Sequence, residues 1–225
     1  MAKFHSLESK ITLITGIIVF SIIILLSETG LYFLRAINPF DTKLFLIINR
    51  HHSYIIDPVM YWASDKFFWL QFYALLIYLL FWAFGKDCLK ALVAISLLII
   101  TSDQIASDLI KNTVKRLRPS HETLLIPYVH LSKAGPGGLY GFISSHAANS
   151  AALSVFLIML ISMRYRLLRY ILPFWTLLVS YSRIYNGVHY PFDVLTGLYF
   201  GALLGLLFYF IFRYFVKDYR LDIQN

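Results

Sequence analysis

The chain has 225 residues, of which 59% are hydrophobic and 14% charged, and its mean hydropathy is +0.67. Soluble domains are nearer half apolar and a quarter charged, so this composition argues against a soluble protein and favours one embedded in lipid. The net charge of +8 suits anionic lipid or an anionic substrate, which in so apolar a chain rank ahead of nucleic acid. The single Cys88 cannot form an internal disulfide.

Six apolar segments approach the roughly 20 residues that a helix needs to cross a bilayer. They lie at about 11–34, 67–84, 88–110, 147–163, 168–186 and 192–215. After the first, FDTKLFLIINR (40–50) is typical of a short amphipathic helix on the membrane surface. The predicted fold class is therefore all-α: one polytopic membrane bundle over 1–225, with six transmembrane helices and a short interfacial helix.

Segment 120–141 contains glycines, prolines and scattered polar residues, which predict a loop or lid. The basic hairpin MRYRLLRY (163–170) favours a cytoplasmic N-terminus, although ten Lys and Arg residues lie on each side. This orientation places 35–66, 111–146 and 184–192 outside the cell membrane. We therefore expect an integral protein of a bacterial inner membrane whose 111–146 segment faces the periplasm.

The first polar cluster is KNTVKRLRP, from Lys111 to Pro119. If the third helix continues beyond the membrane, Lys111, Lys115 and Arg118 lie on one stripe, and Pro119 ends the helix near Arg118. The alternative is a basic collar at a helix end, whose long side chains reach towards the lipid headgroups.

The second cluster is FISSHAANSAAL, at 142–153. Ser144 or Ser145 can cap the helix that follows, and His146 lies in its first turn. A helix N-terminus offers free backbone N–H groups and the positive end of a dipole, which together bind an anion such as phosphate. The alternative is an ordinary cap with a surface histidine.

The third cluster is YSRIYNGVHYPFD, at 181–193. Pro191 predicts the start of the sixth helix and puts Asp193 in its first turn. The Asp193 carboxylate can then accept a hydrogen bond from one ring nitrogen of His189, which leaves the other nitrogen free as a nucleophile. The alternative is a histidine satisfied at the membrane interface.

All three clusters fall on the same membrane face in the six-helix topology. Together they offer cations for phosphate oxygens, and two histidines that can act as nucleophile and proton donor. No cluster of carboxylates indicates a catalytic metal, so we expect neither a metal nor another cofactor.

These motifs resemble those of the type 2 phosphatidic acid phosphatase superfamily. They are Lys111-x6-Arg118-Pro119, Ser144-x-His146 and Ser182-Arg183-x5-His189-x3-Asp193, within a motif region of 111–193. The second departs from the usual Pro-Ser-Gly-His, because Ile143-Ser144-Ser145-His146 stands in its place. The Ser145 hydroxyl could donate a hydrogen bond to phosphate where the glycine is missing.

The resemblance implies a metal-independent lipid phosphatase with a phosphohistidine intermediate. It implies that His189 attacks phosphorus, that Asp193 orients it and that His146 protonates the leaving oxygen. The phosphate ligands it implies are Lys111, Arg118, Ser144 and Arg183, with Ser145 as a further candidate. Contacts to the rest of the headgroup are expected from Lys115, Arg116 and Lys133.

The motifs recognise phosphate and do not choose among lipids. The resemblance makes undecaprenyl diphosphate the first choice of substrate, with the phosphate of lipid A, phosphatidylglycerophosphate and phosphatidate as alternatives. A phosphotransferase would use the same intermediate. A different class of protein, a non-catalytic lipid-binding or transport protein with a degenerate phosphate site, is also open.

Overall fold

A computed structural model describes residues 2–216, and Met1 and 217–225 lie outside the described residues. Within 2–216 the regular structure is helical and contains no strand, which confirms the all-α class. The helices are α1 Ala2–Leu26, α2 Glu28–Arg50, α3 Ile56–Ser64, α4 Leu70–Phe84, α5 Cys88–Asp103, α6 Asn112–Val114, α7 Ser145–Ile161, α8 Leu168–Tyr185 and α9 Pro191–Phe215. A π-helical segment, Gln104–Lys111, joins α5 to α6.

The predicted first membrane helix at 11–34 is interrupted at Ser27. The Ser27 hydroxyl accepts a hydrogen bond from the Gly30 N–H at 3.2 Å and so caps a new helix. That helix, α2, runs for 23 residues through Pro39 to Arg50. The separate surface helix predicted at 40–50 is therefore wrong, because those residues form the second half of α2.

The later helices follow the predicted segments within a few residues. Among the described residues, Ser6–Leu26 and Pro191–Phe215 are long and apolar enough to cross a membrane, while Ser145–Ile161 is apolar but shorter. Large apolar side chains point outwards, including Phe20 and Phe174, which are 63% and 69% exposed. Such a surface is suited to contact with lipid. That the chain crosses the membrane six times stays a prediction.

Helices α7 and α9 approach each other closely because α9 presents glycines at every fourth position. A Cβ added at Gly197 or Gly205 would lie 2.6 Å from the carbonyl oxygen of Ser144 or Ala152 on α7. A Cβ at Gly201 would collide with the α7 backbone between them. This small-residue contact fixes the start of α7 against the start of α9.

The predicted stripe of Lys111, Lys115 and Arg118 on one continuous helix is wrong. The helix ends at Val114, and Lys115 adopts a left-handed conformation with φ of 52°. Arg118 is extended, as a residue before proline tends to be, and its N–H donates to the Leu139 carbonyl at 3.1 Å. The chain therefore turns back after Val114, so that Arg118 lies against the 120–141 loop.

Candidate active site

The three polar clusters meet at one end of a cavity of about 950 Å³ lined by α4, α5, α7 and α8. Arg118, Ser145, His146 and His189 line this end. The first and second clusters are joined directly, because Lys111 Nζ donates to Ser145 Oγ at 3.1 Å.

The third cluster lines the same cavity with His189, and Arg183 borders the cavity. This buried arginine donates from Nη1 to the hydroxyl of Ser64, which lines the cavity wall. Residues as far apart as Lys111 and His189, 78 positions along the chain, therefore meet at one end of this cavity.

His189 and Asp193 are buried side by side, with only 1% and 0% of their surfaces exposed. His189 Nδ1 lies 3.5 Å from Asp193 Oδ2, slightly beyond an ordinary hydrogen bond. The same carboxylate oxygen accepts the Tyr190 N–H at 3.0 Å, which fixes the carboxylate at the start of α9. The arrangement is that of an orienting carboxylate beside a base, and such contacts often shorten when substrate binds.

The surroundings of His189 keep its ring neutral. Burial, followed by the positive charges of Arg118, Arg183 and Lys111, lowers the pKa of His189 well below its ordinary value of 6.5. A neutral ring keeps a lone pair on nitrogen at neutral pH, which nucleophilic attack requires. The same cations would attract a phosphate to this end of the cavity.

Two glycines of the 120–141 loop shape the position of Arg118, whose Nε donates to the Tyr140 carbonyl at 3.1 Å. A Cβ at Gly137 would lie 2.5 Å from Arg118 Nη1, and Gly137 has a φ of 69° that favours glycine. A Cβ at Gly141 would lie 3.1 Å from both Arg118 Cγ and Asp193 Oδ2. The loop therefore packs directly on the side chains of the site.

Several buried donors at this end have no hydrogen-bond partner within residues 2–216. They include the fully buried Ser144 Oγ and Arg183 Nε. Ser144 occupies the N-cap position of α7, but its hydroxyl does not cap the helix as predicted. The backbone N–H of Ser144 donates to the backbone carbonyl of Asp193 at 3.0 Å. Buried polar groups usually have partners, so these two donors are exceptions beside the cavity.

The sequence profile of the PAP2 superfamily matches residues 91–217. The chain belongs to the PAP2 superfamily. It is 39% identical over 177 residues to a lipid A 4'-phosphatase of Bacteroides thetaiotaomicron, covering 78% of each chain. It is 33% identical over 177 residues to a lipid A 4'-phosphatase of Porphyromonas gingivalis, covering 77% of this chain and 73% of the relative. The undecaprenyl-diphosphatase BcrC of Bacillus subtilis is 28% identical, covering 71% and 76%.

The fold matches that of a solved PAP2 membrane protein, the transmembrane phosphatidylglycerolphosphate phosphatase of Bacillus subtilis. The TM-score is 0.59 at 21% identity, covering 91% of this chain and 94% of the other. The superfamily match and the phosphatase relatives make the chain a PAP2 phosphatase, so the non-catalytic alternative is set aside. The shared fold and the apolar helices make it an integral membrane protein.

Within this PAP2 phosphatase, Arg116 is not the headgroup contact that the sequence suggested. Its guanidinium lies between two buried carboxylates, 2.6 Å from Asp193 Oδ1 and 2.7 Å from Asp41 Oδ2. It also stacks on the Tyr190 ring at 4.0 Å. With only 9% of its side chain exposed, Arg116 is held inside the protein.

The other two headgroup candidates lie away from the His189 cavity. Lys115 lines a separate cavity of about 470 Å³ behind the site, together with Arg35 and Arg116. Lys133 is exposed on the 120–141 loop. Lys115 is therefore badly placed to contact a headgroup bound at His189, while a contact from Lys133 stays a prediction.

Sequence reasoning missed Asp41. This residue lies on α2, outside the region matched by the superfamily profile, yet only 3% of it is exposed. Asp41 Oδ1 accepts the Phe192 N–H at 2.9 Å. Asp41, on α2, therefore binds both Arg116 and the first turn of α9. The one available signal was an aspartate on the apolar side of an amphipathic segment. No group of three or more potential metal ligands forms a metal site among the described residues.

Proposed function

We propose that this phosphatase removes the 4'-phosphate of lipid A through a phosphohistidine on His189, without a metal ion. The chemistry is supported above all by one observation, the buried His189–Asp193 pair beside Arg118, Arg183 and Lys111 at the polar end of the 950 Å³ cavity. The substrate is supported by the two relatives named lipid A 4'-phosphatase, at 39% and 33% identity.

Lipid A replaces undecaprenyl diphosphate as the first choice. The relative named for undecaprenyl diphosphate is 28% identical, and the one named phosphatidylglycerophosphatase B is 30% identical over 55% of this chain. Both substrates, together with phosphatidate, remain the comparison set for an assay.

In the first proposed step, the free ring nitrogen of His189 attacks phosphorus and forms an N–P bond. The bond from phosphorus to the sugar oxygen breaks, and His146 gives a proton to that oxygen, so that the lipid leaves as an alcohol. Burial and the nearby cations lower the pKa of His146 in the free protein, so His146 takes up this proton when the negatively charged phosphate binds and offsets those cations. Asp193 holds the imidazole and stabilises the charge that develops on it. Lys111, Arg118 and Arg183, with the hydroxyl of Ser144, stabilise the phosphoryl oxygens, where negative charge is spread in the transition state.

In the second step, water attacks the phosphohistidine. His146, now neutral, takes a proton from the water, the N–P bond breaks, and inorganic phosphate leaves with His189 restored. The Ser145 hydroxyl is bound to Lys111 Nζ and to Ser107 Oγ, at 3.1 and 3.0 Å. We therefore assign Ser145 to holding Lys111 in place as well as to reaching the phosphate.

Phosphate release from lipid A, undecaprenyl diphosphate, phosphatidylglycerophosphate and phosphatidate tests this proposal. Purified protein in detergent with EDTA should be active, with its highest kcat/KM on lipid A, and His189→Ala should be inactive. Loss of activity in EDTA, with recovery on adding a divalent cation, would refute the metal-free mechanism. Activity on the other lipids but not on lipid A would refute the substrate.

We also propose that the site faces the periplasm of a bacterial inner membrane. Cys88 is buried, so a cysteine introduced in its presence can be labelled with little background. Lys133→Cys should react with an impermeant thiol reagent in intact spheroplasts. Arg166→Cys, in the exposed hairpin on the opposite side, should react only after lysis. The reverse pattern would invert the topology and leave the chemistry unaffected.

A further inference from the structure

The lining of the His189 cavity changes from polar to mainly apolar with distance from His189. The segment from α5 to Lys111 runs towards the phosphate end, whereas α7 begins there and runs away from it. Lys111 and Ser145 mark this end, since their side chains are hydrogen-bonded at 3.1 Å. Successive layers of the cavity wall are therefore found by going backwards along the chain from Lys111 into α5, and forwards along α7 from Ser145.

The second layer is polar. Asn149 lies one helical turn beyond Ser145, and its Nδ2 is 3.4 Å from Asp103 Oδ1 across the cavity wall. Asp103, Gln104 and Asn149 line the same cavity as His189. Asn149 Oδ1 is buried without a hydrogen-bond partner among the described residues. On α7 one turn separates the two layers by roughly 6 Å, about the width of a sugar ring. On the facing segment Gln104 precedes Lys111 by seven residues.

The third layer is apolar. The next turn of α7 contributes Leu153 and then Leu157, and the preceding turns of α5 contribute Ile99 and Ile95, with Ser96 as a polar exception. The cavity therefore offers cations and histidines first, amide and carboxylate groups second, and hydrocarbon last.

Polar side chains within a membrane bundle are expensive unless they are paired or face a polar partner. An isoprenoid diphosphate passes directly from phosphate to hydrocarbon, so its tail would press against Asp103, Gln104 and Asn149 without hydrogen bonds. An acylated amino sugar instead carries hydroxyl and amide groups between its phosphate and its acyl chains.

We propose that Asp103, Gln104 and Asn149 form a subsite for the acylated amino-sugar ring that carries the phosphate. This inference rests on the proposed function and adds the groups that select lipid A over sugar-free lipid phosphates. The side-chain amides of Asn149 and Gln104 and the carboxylate of Asp103 bind the hydroxyl and amide groups of the ring. The acyl chains follow the apolar layer into the bilayer.

The test compares lipid A with phosphatidate, a sugar-free monoester, in the same detergent micelles. Asn149→Leu and Gln104→Leu replace the polar groups with apolar ones of similar size. Each should lower kcat/KM on lipid A roughly tenfold or more, because the polar groups of the sugar would lose a hydrogen-bonding partner, and on phosphatidate less than about threefold. Asp108→Asn is the matched control, since Asp108 is exposed on the same π-helical segment and does not line the cavity.

Activity on phosphatidate in the same preparation shows that each variant is folded. Equal losses on both lipids, or no loss on lipid A, would overturn the subsite while leaving the proposed function intact. Wild-type protein that hydrolyses phosphatidate or undecaprenyl diphosphate but not lipid A would overturn the proposed function, and the sugar subsite with it.

Discussion

Arg116 provides the sharpest test of how the site is held together, because it contacts the orienting carboxylate without lining the cavity. Its ion pairs with Asp193 and Asp41 are buried, with 0% and 4% of the two carboxylate side chains exposed. Arg116→Gln would leave both carboxylates buried close together with no cation between them.

Removing one partner of a buried ion pair costs about 3–5 kcal/mol. The protein can escape this cost by protonating Asp193 or by turning it away, and either change deprives His189 of its orienting carboxylate. If about 3 kcal/mol of the loss falls on the reacting geometry, kcat falls by more than about 100-fold. KM should change little, because Arg116 does not reach the phosphate end.

The assay measures kcat and KM on lipid A, together with thermal unfolding in the same detergent. Arg116→Lys should recover part of kcat, since a lysine restores the positive charge but cannot bind Asp193 and Asp41 with two separate guanidinium nitrogens. Asp41→Asn should have a milder effect, because Arg116 keeps its bond to Asp193. Arg35→Gln serves as the control, since Arg35 is exposed and lines the same 470 Å³ cavity as Arg116. Wild-type kcat in Arg116→Gln, or a loss confined to KM, would refute this reasoning.

Three further predictions concern other parts of the fold and site. Ser145→Gly restores the usual superfamily residue but removes the hydroxyl bound to Lys111, so kcat/KM should fall by roughly 5-fold, the equivalent of one hydrogen bond; a gain would contradict the assigned role. Gly201→Ala should destabilise the protein by about 2 kcal/mol or more, because its Cβ meets the α7 backbone, whereas Gly16→Ala, with nothing within 4 Å, should be neutral or stabilising; equal melting temperatures would contradict the packing. Protonation of His189 removes the nucleophile, and its pKa lies below 6.5. The fall of kcat/KM in acid that is caused by His189 should therefore have its midpoint below pH 6.5. A midpoint for His189 above pH 6.5 would contradict the electrostatics.

The parts of the fold that the sequence predicts are those set by local chemistry. Long apolar runs mark α4, α5, α7, α8 and α9, and Pro191 marks the start of α9. The predicted topology puts the end of the third membrane helix and the start of the fourth on one membrane face, and the structure shows the contact this implies, between Lys111 and Ser145. Helix order together with the motifs therefore predicts that these residues meet.

The errors arise where a single residue or a long-range contact decides the structure. A serine cap at Ser27 divides an apolar run that hydropathy joins, and the left-handed Lys115 ends a helix that periodicity would continue. The role of Arg116 depends on Asp41, which lies 75 residues away on α2. No local pattern indicates that pair, and a cation next to Arg118 suggests a substrate contact until its partners are known.

The most direct test of the central claim is to find where the phosphoryl group goes. Protein mixed with lipid A is denatured in alkali, in which phosphohistidine survives, and its peptides are mapped by mass spectrometry. We expect a single phosphoryl group on His189, which is absent from His189→Ala. A phosphoryl group on another residue, or lipid A turnover by His189→Ala, would contradict the account.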